Sequence, residues 1–300
     1  MGAPQGSEAA AVRVCLREPV GAVLVITESA CSLPMTLCAE LGILVVPMWI
    51  VRAERSYRDG VDVTLQEVLT WLEHGPPYPT SSAPSPADYL SAFEEAVRRD
   101  AGQILVLTVA RWLSAAHEHA RRAADRFPVP VEVVDTGTAA AAQGLVVREA
   151  ARRLQAGWAL GEVVEWVKAA GPRARLVAVV RSLDHLHRSG RVPGIAYLLN
   201  RRAGAVPLFA IGGGRIRRAG LATNLAAAVR RMVAEVHRAG SRATRLHLAV
   251  TEAGMPEEAQ HLAGALRSEG ADPVPVFPFT PVMAVNTGPG VLGVAYLPEP

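Results

Sequence analysis

The sequence predicts an α/β fold built on a mostly parallel sheet covered by helices on both faces. Two observations predict it. Short runs rich in β-branched residues alternate with helical stretches along most of the chain, the pattern of parallel strands joined by crossover helices. The chain has 300 residues, of which 50% are hydrophobic, enough to bury a large core and to fill two domains.

The elements follow in order. Ala22 to Ile26 reads as a strand, and Pro34 to Leu41 as a helix with proline at its first position. Gly42 ends that helix, and the apolar run Ile43 to Val51 reads as one buried strand. Thr64-Leu65-Gln66-Glu67 is a capping box opening a helix toward Glu73, and Ser85-Pro86-Ala87-Asp88 opens another toward Arg99. Gln103 to Val109 is a strand, Leu113 to Arg126 a helix, Val131 to Val134 a strand and Thr138 to Leu154 a long helix.

A second half begins near Gly171-Pro172. It carries a strand at Leu176 to Val180, helical pieces through Asn200, and strands at Val206 to Ala210 and Arg215 to Arg218. A helix from Asn224 to Arg238, a strand at Leu246 to Thr251, a helix from Pro256 to Ser268 and strands at Val274 to Phe277 and Val291 to Leu297 complete it. The expected division is a flexible extension over residues 1–17, a first domain over 18–171 and a second over 172–300.

Composition excludes several function classes. The net charge is only +3, because 31 basic residues nearly cancel 28 acidic ones. Lys168 is the only lysine, and the arginine pairs fall on amphipathic stretches, as on a solvated helix face. Aromatic residues make up 5%, too few for a base-stacking surface, so nucleic acid is not an expected partner. Cys15, Cys31 and Cys38 form no metal or disulfide spacing, which suits a reducing cytoplasm. No secretory signal is recognised, and Gly42 to Val51 is too short to span a bilayer.

Motifs for nucleotide or hydrolytic chemistry fail on context. Gly288-Pro289-Gly290-Val291-Leu292-Gly293 has the dinucleotide spacing but leads into a strand rather than a helix. Gly212-Gly213-Gly214 lies between two strand-like runs and reads as a hairpin turn. No GxSxG elbow is present. His117 and His119 are two apart on a helix and point to different sides, and His185 and His187 have the same spacing. No cofactor or metal is expected.

What remains is a set of hydroxyls. Ser29, Ser81-Ser82 and Ser114 all fall near strand-to-helix turns, where doubly wound sheets place their ligand crevice. Such residues are ordinarily caps and turns. Convergence of several at one crevice would instead hold a small anionic group.

At these residues the sequence resembles the DegV family of bacterial lipid-binding proteins, from about Ala22 to the C-terminus. Thr27-Glu28-Ser29-Ala30-Cys31-Ser32-Leu33-Pro34 resembles its TDSxxDLP opening, with Glu28 for the usual Asp. Tyr57-Arg58-Asp59-Gly60-Val61-Asp62 resembles YxDGxD, and Ser81-Ser82-Ala83-Pro84-Ser85 resembles TSQPS. Leu113-Ser114 stands for LSGT, Ser182 to Val192 for SLDYLxxGGRI, and Asn286-Thr287-Gly288-Pro289-Gly290 for HTGPG.

The resemblance implies two α/β domains with a long-chain fatty acid in a tunnel between them, and no chemistry of the protein's own. It implies a carboxylate held by Ser81 and Ser114, with Ser82, Ser29, Asn286 and Thr287 beside them. Arg111 and Arg191 are expected near the head group or a partner, and Arg111 either offers a charged fork there or faces solvent. A fatty-acid kinase is the implied protein partner. Three departures bear on that partner: Asn286 replaces a histidine, Ala222 stands where an arginine is usual, and Ala115-Ala116 replace Gly-Thr. The competing expectation is an α/β enzyme acting on a small anionic substrate in the same crevice, with Glu28 or His185 as its titratable group.

Overall fold

The computed structural model describes residues 22–182, 184–190, 206–267 and 273–299. The expected extension over 1–17 and the candidate Arg191 lie outside the described residues.

The first sheet has the order β2-β1-β6-β7, all parallel, from β1 (Ala22–Glu28), β2 (Leu44–Val46), β6 (Ala101–Thr108) and β7 (Val131–Asp135). Side chains alternate across it, as the period of two requires. Ile26, Ile104 and Val106 face Tyr89 and Phe93 of α3 (Pro86–Arg98) and Ala120 of α4 (Ala116–Ala124). Val25, Leu105 and Leu107 face Leu145 and Val146 of α5 (Ala140–Gln155).

The run expected as one strand over 43–51 divides at Pro47. Its first part is β2, and its second is β3 (Trp49–Arg52), which belongs to another sheet. Proline has no N–H for a ladder, so pairing stops there. In the small antiparallel sheet β4-β3-β5, β3 lies between β4 (Arg55–Arg58) and β5 (Thr80–Ser82). Short helices α1 (Met35–Glu40) and α2 (Leu65–His74) flank this region, and α2 opens on the expected Thr64–Glu67 capping box. Ser85 and Asp88 form the same box at the start of α3.

The second sheet has the order β10-β9-β8-β13-β11-β12. Its strands are β8 (Arg175–Val179), β9 (Val206–Gly212), β10 (Arg215–Ala222), β11 (Arg245–Ala253), β12 (Val276–Pro278) and β13 (Val291–Glu299). The α/β class holds, but the strand directions correct the expectation of a mostly parallel sheet here. Only β11 and β12 pair parallel; the other pairs are antiparallel. The Gly212-Gly213-Gly214 turn explains one reversal, since all three glycines have positive φ and close a tight hairpin. A parallel connection needs a crossover of a dozen or more residues, and the α9 (Pro256–Leu266) segment supplies it between β11 and β12.

Helices α6 (Leu160–Ala170), α7 (Asp184–Arg188), α8 (Leu225–Gly240) and α10 (Pro281–Thr287) complete the described fold. Of the helices, α5 does most to join the sheets. Its residues from Ala140 to Ala151 are buried, and one core joins it to Leu107 of the first sheet and to Val291 and Ala295 of the second. At its far end Glu149 accepts from Arg148 at 2.8 Å and lies 3.3 Å from His247 of β11. Gly144 lets the helix approach the turn after β1: a Cβ there would lie 2.6 Å from the Cys31 carbonyl oxygen.

Candidate functional site

The first sheet ends where the second begins to cover it, and a cavity lies at that junction. Loops after β1 and β6 supply Ala30, Val109, Leu113 and Ser114; β5 supplies Ser81; β9 supplies Phe209 and Ile211; and α10 supplies Met283, Asn286 and Thr287. The cavity holds about 600 Å³ of empty volume, open solvent at its mouth included. Among the described residues, its polar lining is Ser81, Ser114, Asn286 and Thr287. The remainder is aliphatic or aromatic apart from the Met48 and Met283 thioethers.

The polar groups are fixed by local chemistry. Strand alternation in β5 turns Ser81 inward and leaves Ser82 exposed. The Ser81 hydroxyl donates to Asn286 Oδ1 at 3.2 Å, and Asn286 Nδ2 donates to the Val282 carbonyl one turn back at 2.9 Å. Ser114 Oγ accepts the Ala116 N–H at 3.2 Å, an arrangement that leaves its own proton for a ligand. Thr287 Oγ1 donates to the Met283 carbonyl at 3.0 Å, within its own helix.

Two candidate hydroxyls do not line the cavity. Ser82 points out and approaches the Ala83 carbonyl at 3.4 Å. Ser29 is buried, accepts the Met48 N–H at 3.0 Å and faces Asp59. Arg111 does not line it either: its side chain is 75% exposed, with Nε 3.8 Å from Asp135. Ala222 packs into the far face of the second sheet, among Met232 and Leu208.

Two buried acids support the site from behind. Glu28 accepts from the Tyr89 hydroxyl at 2.6 Å, from the Val109 N–H at 3.0 Å and from Gln143 Nε2 at 3.1 Å. Burial raises its pKa and these donors oppose the rise. It anchors the loop that carries Leu113 and Ser114 and does not itself line the cavity. Asp59 accepts the Val282 N–H at 2.9 Å at the start of α10. Burial raises its pKa to about 6, against the pull of Ser29, Val282 and Thr280. Sequence reasoning matched Asp59 to a motif without giving it a role. Asp62 explains the rest of that motif, because it accepts from the Arg58 N–H and guanidinium at 2.8–2.9 Å and closes the loop that presents Asp59.

The histidines occupy other places. His117 Nδ1 lies 3.1 Å from Thr108 Oγ1, and His119 Nδ1 lies 2.7 Å from the Pro84 carbonyl. His185 lines a neighbouring polar recess rather than the apolar cavity. Burial and the nearby Arg188 hold its pKa below the usual histidine value. Among the described residues, no group of three or more His, Cys, Asp or Glu could hold a metal ion, and no helix is long and apolar enough to cross a membrane.

Comparison with known proteins agrees with this geometry. The family described as "Uncharacterised protein, DegV family" matches residues 22–299. A DegV domain-containing protein of Streptomyces coelicolor is 32% identical over 278 residues, 91% of this chain and 97% of its own. Another, of Deinococcus radiodurans, is 29% identical over 282 residues, 92% of this chain and 98% of its own. Among solved structures, a DegV family protein from Thermus thermophilus, described by its fatty acid binding, has a TM-score of 0.85 at 28% identity. That match covers 92% of this chain and 99% of the other. DegV from Bacillus subtilis, called a fatty acid binding protein, has a TM-score of 0.81 at 19% identity over 93% of this chain and all of its own, and shares the fold. A family match over residues 22–299, joined to relatives that span nine-tenths of the sequence, shows that this chain belongs to the DegV family.

Proposed function

We propose that the protein is a non-catalytic carrier that binds a long-chain fatty acid, its tail in the apolar cavity and its carboxylate at Ser81, Ser114, Asn286 and Thr287. The observation that carries this reading is the cavity's polarity: its polar side chains are few, and Ser81 and Asn286 are bonded together at one place on an otherwise apolar wall. The fatty acid binding of the 28% identical Thermus thermophilus protein supports it.

The energetics fit an amphiphile. Each buried methylene contributes about 0.8 kcal/mol, so the tail dominates affinity. A hydrogen bond to a carboxylate contributes about 1.5–3 kcal/mol, enough to offset desolvation and fix which end points where. The competing reading, an enzyme on a small anionic substrate, would need a titratable group on the cavity wall. Glu28 is bonded to three donors behind that wall, and His185 lines the recess beside it.

In this proposal the carrier works in the cytoplasm and presents its lipid to a separate fatty-acid kinase. Its two domains are 18–171 and 172–300, with the ligand held between them. Native mass spectrometry of the purified protein, with lipid identification after denaturing extraction, tests the reading. The expected result is one fatty acid per chain, depleted in Ser81→Ala and Ser114→Ala. A chain that is empty, and stays empty when offered long-chain fatty acids, overturns it.

A further inference from the structure

The last strand separates two openings in the molecule. β13 starts at Val291, just after the turn that follows Thr287 of the cavity, and ends at Glu299. A strand rises about 3.3 Å per residue, so its ends lie roughly 26 Å apart. Around the far end is a second recess, with Arg173, Glu235, Arg238, Arg242, Tyr296 and Glu299 in its walls. It holds about 780 Å³ of empty volume, open solvent included. It shares no residue with the apolar cavity, and no Leu, Ile, Val, Met or Phe lines it among the described residues.

The arginines of this recess come from two elements. Arg238 is in the last turn of α8 and Arg242 follows it, where the carbonyl end of a helix attracts cations. That attraction does not account for Arg173, which closes the turn after α6. Its Nε is buried and has no acceptor among the described residues. None of the three guanidiniums makes a hydrogen bond or an ion pair among the described residues.

The acids nearby are engaged elsewhere. Several arginines on this chain's helices pair with a glutamate one turn away, as Arg98 and Arg99 do with Glu95 and Arg122 does with Glu118. Glu235 stands one turn before Arg238 in the same way, yet it accepts from the Tyr296 hydroxyl at 2.9 Å. Glu299 is held by Arg153, which donates to it, and His247 Nε2 lies 3.3 Å away. With Glu299 balanced by Arg153, three guanidiniums face one uncompensated carboxylate, and the recess is left with two positive charges.

That charge selects the ligand. A monocarboxylate cancels one of the two charges, and an acyl tail would find no apolar wall here. A dianion cancels both, and its several oxygens can accept from more than one guanidinium. We propose that this recess is a second ligand site, taking a small dianion, with Arg173, Arg238 and Arg242 as its cationic donors. The dianion is a phosphate group or a dicarboxylate, which share this charge. The site does not rest on the fatty-acid reading.

Calorimetric titration of hydrogen phosphate, succinate and acetate into the full chain, in chloride buffer at about pH 8, tests it. One dianion per chain is expected, with acetate weaker by about 10-fold or more. Whichever of phosphate and succinate binds more tightly identifies the source of the charge. Arg173→Gln is expected to weaken that dianion about 10-fold, the loss of one charge-assisted hydrogen bond. Glu235→Gln keeps an acceptor for Tyr296 and removes the opposing charge, so it is expected to tighten binding about 3-fold. A residue that only supported the fold would not tighten anything. Thermal melting shows that each variant is folded. Hexadecanoate retention, read separately, is expected to equal the native value in every variant, so failure of the fatty-acid reading leaves this result standing. A native chain that binds no dianion, a native chain that binds acetate as tightly as both dianions, or folded variants that bind as the native chain does, overturn the proposal.

Discussion

The Ser81 hydroxyl donates to Asn286 Oδ1 at 3.2 Å across 205 positions of sequence. That bond joins β5 to α10 and places a hydroxyl and an amide together on the wall of the apolar cavity. If a carboxylate binds there, the single Ser81 proton turns from Asn286 Oδ1 to donate to it, beside the second Nδ2 hydrogen of Asn286. Ser81→Ala is expected to weaken hexadecanoate binding by about 10-fold, the loss of one hydrogen bond to a charged group. Asn286→Asp is expected to weaken it further above neutral pH, because a second carboxylate would face the first. Displacement of a fluorescent fatty acid measures both. Equal binding by native protein and Asn286→Asp would move the head group away from α10.

Asp59 gives the fold a defined pH response. Its pKa is raised to about 6 by burial, above the ordinary aspartate value of about 3.9. A raised pKa means that the folded state favours the protonated form. The stabilising contribution is therefore complete below about pH 4 and is lost as pH rises through about 6. Asp59→Asn keeps an oxygen for the Val282 N–H and cannot ionise. Its melting temperature should match the native value near pH 4 and exceed it above pH 7, by an amount on the order of 2 kcal/mol in stability. Thermal denaturation across pH 4 to 8 measures the difference. A constant offset across that range would show that Asp59 does not titrate in it.

How much of this was readable from sequence depended on what each element buries. The central strands of the first sheet were legible because parallel strands covered on both faces are continuous apolar runs, as in Ile104 to Leu107. β5 was not, because Thr80-Ser81-Ser82 is wholly polar and is a strand only through its pairing with β3. Missing it hid the alternation that separates Ser81 from Ser82. α10 has 7 residues, too few to show a helical period, so Asn286 and Thr287 were placed by resemblance alone. Ser29 reads from sequence as lying near the turn after the first strand, and it directly follows β1. Its engagement with Met48 and Asp59 is tertiary, and no local pattern announces it.

Gly144 tests how tightly α5 packs on the turn after β1. In a free helix Gly→Ala stabilises by about 0.5–1 kcal/mol. Here the added Cβ would lie 2.6 Å from the Cys31 carbonyl oxygen and 3.1 Å from Leu33 Cδ2. Backbone has to move, and overpacking of this kind costs about 1–3 kcal/mol. Gly144→Ala is expected to lower stability in chemical denaturation despite its better helix propensity. It should also weaken lipid binding, because the turn it displaces carries Ala30 on the cavity wall. A stabilised variant would mean that α5 and this turn separate without cost.

Ile211 separates tail binding from head binding. It is 4% exposed and lines the cavity from β9, on the opposite half of the chain from Ser81 and Ser114. Ile211→Trp fills apolar space without touching a polar group, so it should reject the longest acyl chains first. Each methylene excluded removes about 0.8 kcal/mol, so losing two costs about 10-fold in affinity. A series of saturated fatty acids of increasing length, titrated against native protein and variant, reads the effect as an earlier plateau. An identical length dependence in both proteins would place the tail elsewhere, whereas an earlier plateau puts it against β9 with the head toward α10.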